Sequence, residues 1–187
     1  MNRHSRSIVL VGMMGAGKSS VGVCLRRRTT LKLFDTDEIV TSKFGMPISK
    51  ILSKHGENEF REAETEALQA LTTSEPVVIV TGGGIVLRVE NLDLLKRLGI
   101  VAWLEADEKT LFKRASRAGS RPLLQCKNPK KAFTKMLRAR LPLYAKIADI
   151  RVDTSVLTDE EVAVAILSKF SRYNRKSVLV AAMPAIA

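Results

Sequence analysis

The sequence predicts an α/β protein, a three-layer α/β/α arrangement around a five-stranded parallel sheet. Short apolar runs alternate with amphipathic stretches along most of the chain, the order expected of strands joined by helical crossovers. The runs are rich in β-branched residues and show no polar alternation, as in strands covered on both faces. The length of 187 residues, 45% hydrophobic and 27% charged, suits one soluble domain with a continuous core and excludes disordered and collagen-like chains.

The first strand is Ser7 to Val11, followed after a glycine-rich turn by a helix over Ser19 to Arg28. The closing Arg26-Arg27-Arg28 suits a helix C-terminus, where the dipole favours cations. Leu31 to Phe34 is the second strand, and Asp37 has the position of a cap for a helix over Glu38 to Phe44. Glu57 to Leu71 is amphipathic and helical. Val77 to Val80 makes the third strand and runs into Thr81-Gly82-Gly83-Gly84. Asn91 to Leu98 is a helix that Gly99 stops, Ile100 to Leu104 is the fourth strand with Trp103 in the core, and Asp107 starts a helix ending near Ser116. Arg117 to Pro129, with Gly119, Pro122 and Pro129, has the composition of a mobile basic loop. Lys131 to Lys146 and Thr158 to Phe170 are helices on either side of the fifth strand, Ile150 to Val152. Residues 1–170 then form one domain. The tail is 171–187, and its apolar end, Ser177 to Ala187, has three open readings: a cap on the core, a contact surface or a disordered end.

Lys and Arg outnumber Asp and Glu by 31 to 19, a net charge of +12. Such a surplus suits nucleic acid, an anionic membrane or small anionic ligands. Its location narrows the choice: residues 109 to 151 hold thirteen Lys and Arg against the single Asp149. Only Phe112, Phe133 and Tyr144 accompany that stretch, so no aromatic platform for bases is expected. Two cysteines, Cys24 and Cys126, make no disulfide framework or zinc spacing and point to a reducing cytoplasm. The apolar run Ile8 to Val11 is too short for a signal-peptide core, and no run approaches a membrane span.

Directly after the first strand comes Gly12-Met13-Met14-Gly15-Ala16-Gly17-Lys18-Ser19, the G-x-x-x-x-G-K-[ST] pattern of a P-loop. Its glycines let successive N–H groups and a helix N-terminus face phosphate oxygens, its lysine reaches the β and γ phosphates, and its hydroxyl ligates Mg²⁺. ATP binding is the expectation. A P-loop leaves ATPases, GTPases and small-molecule kinases open, so the acceptor must be read elsewhere.

Phe34-Asp35-Thr36-Asp37 puts two carboxylates at the end of the second strand, where one can serve a metal and the other an acceptor hydroxyl. In Gly56-Glu57-Asn58-Glu59-Phe60-Arg61-Glu62-Ala63-Glu64, Phe60, Arg61 and Glu64 share a helical face. Glu64 can therefore hold Arg61 for bidentate contact with a substrate carboxylate, against the plainer reading of a solvated salt bridge. Gly82, Gly83 and Gly84 can leave amides bare for a ligand's oxygens, or can merely make a tight turn. The third strand offers no Asp for a metal, so Asp35 is the available substitute.

These motifs, with Arg121-Pro122-Leu123-Leu124 and Arg140-x-Pro142-x-Tyr144, follow one another in an order that resembles shikimate kinase over about residues 7 to 170. The resemblance implies a P-loop NTPase of the nucleoside-monophosphate-kinase-like type with a mobile lid over about residues 114–130. It further implies ATP and Mg²⁺ as reagents for phosphorylating the 3-hydroxyl of shikimate, on the route to chorismate and aromatic amino acids. Gly15, Ala16, Gly17, Lys18, Ser19 and Ser20 would hold ATP, with Arg114 and Pro122 flanking the adenine. Arg121 would come from the lid onto the transferring phosphate, and Asp35 would support the metal beside Ser19. Asp37, Arg61, Arg140 and the Gly82 to Gly84 turn would bind shikimate, with Asp37 accepting the proton and the two arginines clamping the carboxylate. After Val152-Asp153-Thr154 some members of the family have a basic residue against the adenine, where this chain has Ser155-Val156-Leu157. The expected partners are small molecules, with no nucleic acid, no membrane and a monomeric chain. The competing readings are another small-molecule kinase, of gluconate or nucleotide type, and a nucleic-acid-binding P-loop protein.

Overall fold

The computed structural model describes residues 6–71, 75–117 and 126–181, with side chains as far as 173. Strand β1 (Ser7–Val11) is buried at every position and pairs in parallel with β3 (Val77–Val80) on one side and β4 (Gly99–Glu105) on the other. Val9 sits at the middle of both ladders, opposite Ile79 and Val101. Strands β2 (Lys32–Asp35) and β5 (Ile150–Asp153) close the two edges, giving the order β2-β3-β1-β4-β5 with all pairs parallel. An edge strand meets fewer neighbours, so β5 alternates: Ile150 and Val152 point inward while Arg151 and Asp153 are exposed. The central strands are covered on both faces and need no such alternation.

On one face lie α1 (Lys18–Arg28) and α7 (Asp159–Ala181); on the other lie α4 (Val89–Leu98), α5 (Glu108–Arg117) and α6 (Pro129–Ile147). Helix α1 rests so closely on the sheet that a methyl group on Gly22 would stand 2.6 Å from Val80 Cγ2. Helices α2 (Thr36–Phe44) and α3 (Ile48–Ala70) pack together beyond β2 around a small core of their own, Val40, Ile51, Phe60, Ala63 and Ala67. The connections that leave the neighbouring strands β1 and β3 run over opposite faces of the sheet, through α1 and α4, and such a switch point opens a crevice at the strands' carboxyl ends. The fold is thus the expected five-stranded P-loop arrangement of the nucleoside-monophosphate-kinase-like type.

Several boundaries differ from expectation. The cap of α2 is Asp35, whose Oδ1 accepts the Asp37 N–H at 2.9 Å, so Asp37 lies inside the first turn instead of capping it. A helical segment from Ile48 precedes Gly56 and joins the expected helix across a kink at that residue, where φ is 84°. Helix α7 passes Phe170 and continues to Ala181, so the tail begins as an extension of a domain helix. Part of the expected lid, including Arg121 and Pro122, lies outside the described residues. Among the described residues no helix is long and apolar enough to cross a membrane.

Candidate active site

Gly12 to Gly17 carry the chain from the end of β1 into α1. Gly12 and Gly15 have φ of 145° and 86°, and a side chain on either would collide with a backbone carbonyl, of Leu104 or Leu111. The loop can therefore be built only with glycine at these points. Lys18 is buried, and its ammonium donates to the Gly12 carbonyl at 2.8 Å and the Met13 carbonyl at 3.1 Å, lying along the loop that it would serve. Ser19 and Ser20 are exposed on the first turn of α1. That turn carries no acid and begins at Gly17 without a side-chain cap, so its amides are available to an anion.

The loop forms one wall of a cavity of about 640 Å³, and Asp35, Asp37, Thr81, Gly82 and Gly83 form another. Asp35 and Asp37 reach it because β2 ends at the same edge of the sheet as β1. Thr36, between them, is fully buried and accepts the Gly82 amide on its Oγ1 at 3.2 Å. This bond ties the acidic segment to the glycine turn. It also means that the Gly82 amide is already in use, while the turn's internal hydrogen bonds run from the Ile85 and Leu87 amides. The Gly83 and Gly84 amides are left outside those bonds.

Both arginines expected at the acceptor site pack against this turn, but they differ in their company. Arg61 is paired twice, with Glu64 at 2.6 Å and Glu57 at 3.0 Å, and it lies beside Gly84. Burial disfavours its charge, yet Glu64 and Glu57 outweigh burial and its pKa moves up. Glu64 is itself sealed from solvent, with Oε1 free of hydrogen bonds, and burial pushes its pKa upward, helped by the nearby Asp37 charge. Arg140 is 4% exposed and has no carboxylate within ion-pair distance among the described residues. It donates to the Gly83 carbonyl at 3.2 Å and touches Met13 Sδ at 3.8 Å, and burial presses its pKa down. Neither arginine lines the open cavity, and both stand against the turn that does.

At the other end of the cavity are Arg114, Leu157, Thr158 and Asp159. Arg114 is fixed by hydrogen bonds to Thr154 Oγ1 at 3.1 Å and to the Thr154 carbonyl at 2.9 Å, which orients its guanidinium plane. Thr158 and Glu161 exchange bonds as a capping box at the start of α7. That box brings Asp159 to the P-loop, with Oδ1 3.3 Å from where a Gly17 Cβ would lie. Sequence reasoning missed Thr158 and Asp159; the only signal was Thr-Asp-Glu-Glu, which marks a helix start and carries no mark of a cavity. It also gave no role to Thr36 or Tyr144, although both stand inside motifs already singled out.

Comparison with known proteins agrees with this layout. A family model described as shikimate kinase matches residues 14–171. A shikimate kinase of Thermodesulfovibrio yellowstonii is 43% identical over 167 residues, 89% of this chain and 96% of that one. The solved shikimate kinase of Acinetobacter baumannii, in complex with shikimate, superposes with a TM-score of 0.86 at 35% identity, covering 90% of this chain and 94% of that one. A gluconokinase of Sinorhizobium meliloti shares the fold, with a TM-score of 0.67 at 19% identity over 95% and 98% of the two chains. On this likeness, across nearly its whole length, the chain belongs to the shikimate kinase family.

Proposed function

We propose that the protein transfers the γ-phosphate of ATP to the 3-hydroxyl of shikimate, giving shikimate 3-phosphate and ADP. One observation carries the reading: the P-loop and Asp37 open on the same cavity, beside a buried Arg140 with no carboxylate at ion-pair distance among the described residues. A phosphate donor and a carboxylated polyol can then meet across the Gly83 turn.

Phosphoryl transfer asks the protein mainly to position two reactants and to neutralise charge. Gly15, Ala16, Gly17 and Ser20 hold the phosphates through the loop and the helix N-terminus, and Lys18 stands ready to turn from the loop carbonyls toward the β and γ oxygens. Arg114 takes the adenine end. Asp37 receives the acceptor hydroxyl and its proton, while Arg61, Arg140 and the glycine turn receive the carboxylate. The expected parts for Arg121, on the transferring phosphate, and Pro122, at the adenine, fall on residues outside the described ones.

Asp35 and Ser19 suit Mg²⁺, since both present oxygen donors to one cavity. Among the described residues no three His, Cys, Asp or Glu gather into a metal cluster. Asp35 and Ser19 would hold the ion through oxygen, the donor that Mg²⁺ prefers. When bound, Mg²⁺ neutralises charge on the phosphates. The partners are small anions; a single chain supplies both halves of the site, which supports a monomer, and the free Cys24 and Cys126 support a cytoplasmic setting.

ADP formation is measured with shikimate, gluconate, AMP or single-stranded DNA as the added partner. Stimulation by shikimate is expected. Absence of that stimulation refutes the reading, and stimulation by gluconate or DNA replaces it.

A further inference from the structure

Tyr144 is the largest fully buried side chain of the core and the last residue of the Arg-x-Pro-x-Tyr segment. It lies one helical turn beyond Arg140 on α6, so the two side chains share a face. Their targets coincide: Tyr144 Oη donates to the Gly83 carbonyl at 2.5 Å, and Arg140 Nη1 donates to the same oxygen at 3.2 Å. The ring is held in place against Trp103, with centroids 5.9 Å apart, and Arg151 covers Trp103 at 4.9 Å. Among the described residues no carboxylate pairs with Arg140: Glu64 acts on it only through its charge, and the Gly83 carbonyl, the Met13 thioether and the neighbouring Tyr144 hydroxyl hold it in the free protein.

A buried guanidinium without a counter-ion is costly, and an arriving carboxylate would relieve that cost. To meet the carboxylate, Arg140 must loosen its hold on Gly83. A buried carbonyl left without a donor loses stability, so a release of this kind needs a second donor already in place. We propose that Tyr144 is that donor: a positioning residue that keeps the Gly83 carbonyl satisfied while Arg140 turns to the substrate carboxylate. This rests on the proposed shikimate reading. It makes the two arginines unequal. Arg61 arrives already neutralised by Glu57 and Glu64, so Arg140 supplies the charge that the ligand completes.

The hydroxyl matters little in the free protein, where Arg140 still holds Gly83, and matters when substrate is bound. A residue that merely fills the core would behave in the opposite way. The test is Tyr144→Phe, which keeps the ring and removes the donor. Shikimate binding is measured by calorimetry, and KM and kcat for both substrates are measured beside the unaltered protein. The expected result is a KM and Kd for shikimate raised about tenfold, the weight of one buried hydrogen bond, with KM for ATP and kcat within about twofold. The melting midpoint of the free variant should move by no more than about 4 °C. Unchanged shikimate affinity overturns the proposal. So does a lowered midpoint in which both KM values rise together, since that marks a core residue. Unaltered protein that fails to bind shikimate overturns the underlying functional reading and this proposal with it, whereas binding that is intact in both proteins overturns this proposal alone.

Discussion

At the scale of single residues, the chemistry turns on groups whose surroundings differ although their types repeat. Asp35 and Asp37 are two positions apart, yet Asp35 spends one oxygen on capping α2 while Asp37 faces Gly82, where an added methyl would lie 2.6 Å from its Oδ1. Asp37→Asn removes the proposed proton acceptor and leaves the P-loop untouched. Turnover should fall roughly 100-fold or more while ATP affinity is unchanged, which single-turnover kinetics and nucleotide calorimetry will separate; retained turnover would remove Asp37 from its role. Tyr144 has a separate signature. Burial pushes its pKa up to about 12, with the nearby positive charge of Arg140 pulling the other way. An acid whose folded pKa lies above its unfolded value of 10.0 gives stability that is complete below pH 10 and is lost as pH rises toward 12. Denaturation midpoints followed from pH 9 to 11.5 should therefore fall more steeply for the unaltered protein than for Tyr144→Phe. Equal slopes would show that the phenol does not stay protonated in the fold.

Legibility at this scale followed from covalent pattern. The P-loop, Asp37, Arg61 and the three glycines could be read because each lies in a short run whose chemistry is local. The inequality between Arg61 and Arg140 could not, because it depends on which carboxylates happen to pack nearby. Glu57 and Glu64 reach Arg61 along one helix, at i−4 and i+3; the sequence reading takes the Glu64 pair from the spacing and leaves Glu57 without a part. That no carboxylate among the described residues pairs with Arg140 on α6 is a tertiary fact.

At the scale of elements, strands were legible and helix beginnings less so. A doubly covered strand announces itself by continuous apolar residues, as in Val77 to Val80. A helix start depends on which of several polar residues supplies the cap. Asp35 wins over Asp37 because it is the residue in extended conformation, with φ −115° and ψ 122°. The segment from Ile48 was missed because Gly56 reads as a stop, whereas a single residue with φ 84° kinks the chain and lets α3 resume. Helix α6 shows what a cap contributes: Asn128 Oδ1 accepts the Lys131 amide at 3.1 Å, and Pro129 follows at the first helical position. Asn128→Ala should lower stability by about 1 kcal/mol. Arg140 and Tyr144 lie three turns further along the same helix, beyond the reach of a frayed first turn. Chemical denaturation should show the loss while KM for shikimate stays constant; a raised KM would mean that α6 moves as one rigid body with its cap.

At the scale of the whole molecule, charge is divided along the chain and therefore in space. The stretch from 33 to 108 holds fourteen acids against seven bases, whereas the stretch from 109 to 151 holds thirteen bases and Asp149. In the fold the second stretch becomes α5 and α6, on which Lys109, Lys113, Lys130, Lys131, Lys135 and Arg138 are all exposed. None of these six forms an ion pair among the described residues. Such a face draws anions toward the cavity but also repels itself, and salt acts on both effects with opposite consequences. Screening at about 0.5 M KCl, where the Debye length is well under 10 Å, should raise the melting midpoint of the +12 chain by relieving self-repulsion. It should lower kcat/KM for shikimate and for ATP by weakening their attraction. Thermal melts and initial rates across a salt series will decide this. A midpoint that falls would mean that the exposed cations are held by attractive pairs, and a kcat/KM that does not fall would mean that the basic face takes no part in gathering substrate.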